Sequence, residues 1–260
     1  MPQQPGQGGG EEGEPEGVAE GEGDHPDGKD PESLRSLYLQ ALASETSHLP
    51  WASVDKDYAD PGRGENLELI DIYTALDTTE LEKLPTEDAV RKYLNRQKEA
   101  RRISAQEMID KRPKLVLLGD PGCGKSTLVN YLSFVLAKAG LGSSDDWLAR
   151  LEQAGPWSHG ALLPVRVVLR EFAAGLGRDG GTGRDDPLLR YLQSSLKTPD
   201  FWPILYERLL DENSPCLILL DGLDEVPSGW RKQVVRIIDV FAARYKANRF
   251  LVTCRIYAYV

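Results

Sequence analysis

The chain has 260 residues and a formal net charge of −10, with 40% hydrophobic and 28% charged residues, enough apolar material for one sizeable core. No apolar stretch approaches the roughly 20 residues of a transmembrane helix, which excludes a helical membrane protein, and an N-terminus this acidic excludes a secretory signal, so the cytoplasm is the expected compartment. Three widely spaced cysteines, Cys123, Cys216 and Cys254, fit neither a disulfide framework nor a zinc site.

The acidity is concentrated at the start. Residues 1–30 carry nine Asp or Glu and nine glycines against the single Lys29, a composition that buries too little apolar surface to offset chain ordering and predicts a disordered tail. Its charge of −8, taken from the total of −10, leaves −2 for the other 230 residues, so the acidity describes a tail and not a binding face. From Pro31 to Leu49, the residues Leu34, Leu37, Tyr38, Ala41 and Leu42 recur at helical spacing and predict an amphipathic helix from about Glu32, ended by Pro50. Residues 51–66 are polar and turn-rich, and 67–73 partly alternates as a short strand or extended arm would.

Thr86 to Lys111 reads as one helix, with Ala89, Val90, Tyr93, Leu94 and Ala100 leaning to one side and Arg91, Lys92, Arg96, Lys98, Arg101 and Arg102 to the other. Interleaved with Gln97 and Glu99 and without neighbouring aromatics, that basic run has the pattern of a solvated face, and nucleic acid is not an expected partner. Residues 31–112 are therefore expected to be a mainly helical lead-in.

The apolar run Leu115–Leu118 then leads without a gap into Gly119-Asp120-Pro121-Gly122-Cys123-Gly124-Lys125-Ser126, a full match to G-x-x-x-x-G-K-[ST]. A strand before and the helical pattern from Thr127 after are the context a phosphate-binding loop requires. The glycines let successive backbone N–H groups turn inward, and the helix N-terminus adds a positive field at the same spot. Lys125 is expected to reach the terminal phosphates of ATP as a point charge, and the Ser126 hydroxyl, with Thr127 beside it, to ligate Mg²⁺. Cys123 in this loop is either redox-sensitive or simply a small residue packed against backbone.

Leu163–Leu169 predicts a second strand, with Pro164 tolerated near its beginning. Phe172 to Arg184 is expected to be a loop. Within it, Gly175-Leu176-Gly177-Arg178-Asp179-Gly180 matches the dinucleotide fingerprint G-x-G-x-x-G, but Gly181 and Gly183 deny the third glycine a helix, so a mobile surface loop is expected. Helices over 187–197 and 201–212 precede another apolar run, Cys216–Leu220, ending in Asp221-Gly222-Leu223-Asp224-Glu225. Such an acidic strand end about a hundred residues after a phosphate loop reads as a Walker B segment: Asp221 for the magnesium ion, and Asp224 or Glu225 to orient the attacking water. A helix from Trp230 to Lys246 and a strand over Arg249–Thr253, ending in Cys254-Arg255, complete an α/β sandwich with a parallel sheet.

The Gly119–Thr127 loop, the run Asp221-Gly222-Leu223-Asp224-Glu225-Val226-Pro227 and the strand end Thr253-Cys254-Arg255 together resemble the NACHT subgroup of STAND P-loop ATPases, bacterial type, as do Leu163-Pro164-Val165 and Leu169-Arg170. The resemblance covers roughly 114–258 and implies a three-layer P-loop NTPase domain over 113–260. It further implies a sensor strand lying between the Walker A and Walker B strands, a sensor 1 role for Arg255 beside the γ-phosphate, and an ATP/ADP switch with slow hydrolysis. Self-association on activation, in defence signalling, is the expected output. From charge alone Arg255 is ambiguous, an ordinary exposed strand-end arginine being the alternative. The winged-helix and repeat segments common downstream in such proteins would follow Val260, which leaves the expected domain incomplete at its C-terminus. A nucleotide-holding scaffold that does not hydrolyse is the alternative expectation. A metabolic kinase or GTPase is disfavoured, since no Asn-Lys-x-Asp guanine signature occurs.

Overall fold

Four apolar runs become four parallel strands: β1 (Lys114–Leu118), β2 (Leu163–Val168), β3 (Cys216–Asp221) and β4 (Arg249–Cys254). The computed structural model describes residues 30–47, 69, 75–78, 103–142, 145–176 and 186–259. The strand order in the sheet is β1-β4-β3-β2, so the last strand in sequence lies between β1 and β3. The register pairs Leu115 with Leu251, Ile218 with Phe250, and Val165 with Ile218. Every residue of β3 is buried, as a central strand covered on both faces must be, and this is why it reads as an unbroken apolar run.

Eight helices surround the sheet among the described residues: α1 (Pro31–Thr46), α2 (Ala105–Lys111), α3 (Lys125–Gly140), α4 (Trp147–Ala154), α5 (Leu169–Leu176), α6 (Pro187–Ser195), α7 (Trp202–Leu210) and α8 (Ser228–Arg244). The molecule is thus an α/β protein built on a parallel sheet. None of these helices is long and apolar enough to cross a membrane.

Several expectations are corrected. The single helix expected over 86–111 is interrupted, because Ile103–Ser104 is extended and pairs antiparallel with Asp77–Thr78. The helix starts only at Ala105, where the Ser104 hydroxyl accepts from Glu107 N at 3.0 Å, a cap that satisfies one of the unpaired donors of a helix start. Residues 86–102, with their basic face, lie outside the described residues, as do the acidic tail over 1–29 and residues 51–66. Of 67–73 only Leu69 is described, and it is helical and buried, not extended. The loop expected from Phe172 is instead the continuation of α5, which begins directly at the end of β2 and buries Leu169, Phe172 and Ala173 on one face. Gly175 belongs to that helix, whereas 177–185, the rest of the glycine-rich stretch, lies outside the described residues. Helix α4 is an addition that the residue patterns do not mark. Its N-cap Asp146 accepts from Ala149 N at 3.0 Å.

Pro31–Val260 form one compact unit, so the described part of the lead-in shares the core of the sheet. Leu34, Tyr38, Leu39, Leu42 and Ala43 are buried, and a Cβ placed on Gly140 would lie 2.9 Å from Leu39 Cδ1, a close approach between α1 and α3. Tyr38 stacks on Phe201 with ring centroids 4.6 Å apart and donates to Pro164 O at 2.8 Å. Burial pushes its phenol well above the ordinary range. Glu45 bridges Arg166 at 3.0 Å and Lys197 at 2.8 Å. At the amino ends of the strands, fully buried Asn248 donates to Leu209 O at 2.8 Å and Tyr245 O at 3.1 Å, and accepts from Cys216 N at 2.8 Å. Its amide thus meets the need of buried polar groups for partners while fixing the entries of β3 and β4.

Candidate functional site

The site is assembled at the carboxyl ends of β1, β3 and β4, where open α/β sheets leave a crevice. Strand β1 ends at Leu118, and Gly119 N continues the ladder by donating to Cys254 O at 3.2 Å. The chain then turns back over itself so tightly that a Cβ on Gly119 would lie 2.5 Å from Cys123 Sγ. Gly124, with φ of +92°, is the N-cap of α3, a left-handed conformation that glycine adopts without a steric cost. Asp120 and Pro121 form the exposed outer edge of this loop. Lys125 folds across it and donates from Nζ to Gly119 O at 2.9 Å and Asp120 O at 2.8 Å, with Cys123 Sγ at 3.4 Å.

Ser126 and Asp221 are 95 residues apart in sequence, yet Ser126 Oγ donates to Asp221 Oδ1 at 3.1 Å. Thr127, beside Ser126, is half-buried. Thr253 Oγ1 donates to the same Asp221 oxygen at 2.6 Å and accepts from Gly222 N at 2.8 Å. A hydroxyl has a single proton. Since the Gly222 contact uses Thr253 as acceptor, that proton is committed to Asp221. The carboxylate is only 7% exposed, and the two hydroxyls fix its orientation.

Beyond β3, Gly222 with φ of +79° opens a single 3-10 turn over Leu223–Glu225. The turn separates its two acids. Asp224, with a side chain 9% exposed, accepts from Arg255 N through Oδ1 at 3.0 Å and faces Arg255 Nε through Oδ2 at 2.7 Å. Arg231 donates to Asp224 O at 3.1 Å and Val226 O at 3.2 Å, holding the turn from α8. Glu225 is 41% exposed and pairs with Arg170 of α5 at 3.2 Å.

The structure therefore brings Lys125, Ser126, Asp221, Asp224, Glu225 and Arg255 to one edge of the sheet. It adds Thr253, Arg170 and Arg231, to which the residue patterns alone assign no task. For Arg170 a signal existed: like Arg255, it is an arginine just past the carboxyl end of a strand. Thr253 stands in the strand-end motif Thr253-Cys254-Arg255 but without a task of its own, and Arg231 carries no comparable mark.

Among the described residues no group of three or more His, Cys, Asp or Glu could hold a metal ion. Magnesium asks for less, because it is commonly held by one or two protein oxygens together with phosphate oxygens and water. The hydroxyl of Ser126 and carboxylate of Asp221, hard oxygens 3.1 Å apart, fit that requirement, and the glycine-lined turn beside them fits a phosphate chain. The Cys254 thiol is not poised to react by ionisation: burial, with Asp224 adding to it, pushes it up to about 11.

No protein-family profile, curated protein or solved structure matches this chain.

Proposed function

We propose that the protein is a Mg²⁺-dependent ATP-binding switch of the NACHT/STAND P-loop type, with slow hydrolysis that resets it and an assembly step as its output. The observation that carries this reading is the meeting of two separated motifs: the Gly119–Ser126 loop with Lys125 folded across it, and Asp221 in hydrogen-bond contact with Ser126. The position of β4 between β1 and β3, with Arg255 at its end, is what the resemblance implies for a sensor strand and further supports it.

In this reading the backbone N–H groups of the loop and the N-terminus of α3 hold phosphate oxygens. Lys125 exchanges its carbonyl partners for phosphate, a stronger charge-assisted pairing. Ser126 and Asp221 would hold magnesium, which supplies charge neutralisation on the phosphates. Glu225, solvent-accessible on the loop beyond, accepts a hydrogen bond from the attacking water. Without an arginine donated by a partner, nucleotide switches of this kind turn over at only about 10⁻⁴ to 10⁻² s⁻¹, a rate suited to resetting and not to metabolic output.

The decisive test is binding of a fluorescent ATP analogue. Lys125→Ala should abolish it with little change in melting temperature, because the side chain is only half-buried and its hydrogen bonds go to its own loop, so its loss opens no core cavity. Wild-type affinity in that variant would remove the phosphate-loop assignment. The second reading, a scaffold that holds nucleotide without hydrolysing it, draws on the Arg170 contact that occupies Glu225. Phosphate release by the wild type that disappears in Glu225→Gln while Mg·ATP still binds would decide for hydrolysis, and no release from either would decide for the scaffold.

A further inference from the structure

We propose that Asp224 is a positioning residue for Arg255, and that Glu225 alone of the two acids serves the water. This deepens the nucleotide reading above and rests on it. The sequence offers two adjacent carboxylates with interchangeable chemistry; their surroundings distinguish them.

Each oxygen of Asp224 is engaged by the same residue. Oδ1 accepts from the Arg255 backbone N at 3.0 Å, and Oδ2 meets the guanidinium Nε at 2.7 Å. One contact fixes the end of β4, and the other fixes the plane of the side chain that leaves it. A guanidinium is planar and rigid, so holding the Nε edge determines the direction in which the two terminal nitrogens project. The carboxylate is itself mounted on a fixed support, since Arg231 donates to Asp224 O at 3.1 Å and Val226 O at 3.2 Å. The carboxylate is 9% exposed while Arg255 is 49% exposed, so the pair lies at the surface with its acid held on the buried side, where a charge-assisted contact is shorter and stronger than a neutral one.

A carboxylate with both oxygens engaged is poorly placed to recruit a water. Glu225 is exposed, and its contact with Arg170 at 3.2 Å is an exchangeable surface pair of the kind that contributes little. The device is thus a division of labour across the 3-10 turn: Asp224 directs Arg255 toward the place where a γ-phosphate would lie, and Glu225 is left for the nucleophile.

The test is a double-mutant cycle on the full chain, with Mg·ATP and Mg·ADP titrated calorimetrically against the wild type, Asp224→Asn, Arg255→Ala and the double variant. Asn keeps the shape and can still accept from Arg255 N, but it lacks the charge that pairs with Nε. The expected result is an ATP preference in the wild type that falls by about tenfold in either single variant, with no further fall in the double variant. Arg255→Lys, which keeps the charge without an Nε for Asp224 to hold, should lose as much as Arg255→Ala and supplies the cycle's conclusion if Asp224→Asn fails to fold. Multiplicative losses in the double variant would overturn the proposal, because the two residues would then act independently. So would an Asp224→Asn variant that keeps its ATP preference but stops releasing phosphate, which would make Asp224 the water-orienting acid. Equal weakening of ATP and ADP with a lowered melting temperature would reduce the contact to a structural tie. A wild type that binds neither nucleotide would overturn the proposed function itself, and the positioning role with it.

Discussion

Two hydroxyls converge on Asp221 Oδ1, from Ser126 at 3.1 Å and from Thr253 at 2.6 Å, and they differ in what their loss should do. Ser126 is exposed on the loop helix, so its role is confined to the site. Thr253 is buried and also accepts from Gly222 N at 2.8 Å. Thr253→Val keeps the shape but leaves that N–H without its partner and frees Asp221 to reorient. A stranded buried donor costs about 1–3 kcal/mol, and Gly222 N is part-buried, so chemical denaturation should show a loss toward the lower end of that range. Magnesium titration of nucleotide binding should show weaker Mg²⁺ dependence in the same variant, and Thr253→Ser should restore both. A Thr253→Val protein with wild-type Mg²⁺ dependence would detach Thr253 from the magnesium role proposed for Asp221. Asp221→Asn should lose Mg²⁺-dependent affinity outright, whereas Ser126→Ala should weaken it without the cost in stability.

Among the elements, α1 is the one whose status the structure changes. Read along the chain it is the start of a lead-in; in space, Leu39 is fully buried against Gly140 of α3, and Tyr38 reaches the backbone of β2. Leu39→Ala should therefore destabilise the whole unit by about 2–5 kcal/mol, as buried leucine truncations do. Leu37→Ala, one turn face away at 46% exposure, should stay within about 0.5 kcal/mol. A single cooperative transition shifted by the first and not the second is the expected denaturation result; an unshifted main transition would mean that α1 docks without supporting the sheet. The four sheet strands were legible because buried parallel strands are continuous apolar runs, and the tight glycine turn between β1 and α3 because the spacing of its glycines is mechanical. Helix α5 was missed because glycines at 175, 177 and 180 outweighed the Leu169, Phe172, Ala173 spacing. The break at Ile103–Ser104 was missed because a serine cap inside a long polar pattern is easily absorbed into it. The pairings of Asp224 with Arg255 and Glu225 with Arg170 were not legible from residue patterns. They depend on which strand ends lie side by side, and β2, β3 and β4 are brought together only by the crossovers.

At the scale of the whole molecule, the central sheet carries a titration that ties stability to alkaline pH. Cys216 opens β3, fully buried, and burial pushes its thiol from an ordinary value of 9.0 up to about 12, with Asp211 adding to the rise and Arg208 opposing it. Below pH 9 the thiol keeps its proton in both the folded and the unfolded chain, so its contribution to stability is fully present there. As pH rises past 9 the unfolded chain releases the proton while the folded chain holds it until about 12. The unfolded state then binds fewer protons, and stability falls across that window. Cys254, raised to about 11, and Tyr38, raised by burial, act in the same direction. Replacing Cys216 with Ala removes one of these titrations, so the variant's stability should decline less steeply between pH 9 and 11 than that of the wild type, by at most about 1.4 kcal/mol per pH unit. Chemical denaturation under reducing conditions at a series of pH values measures both slopes. Parallel curves for the two proteins would show that the buried thiol of β3 does not contribute to alkaline unfolding, and that the decline belongs to the other buried acids.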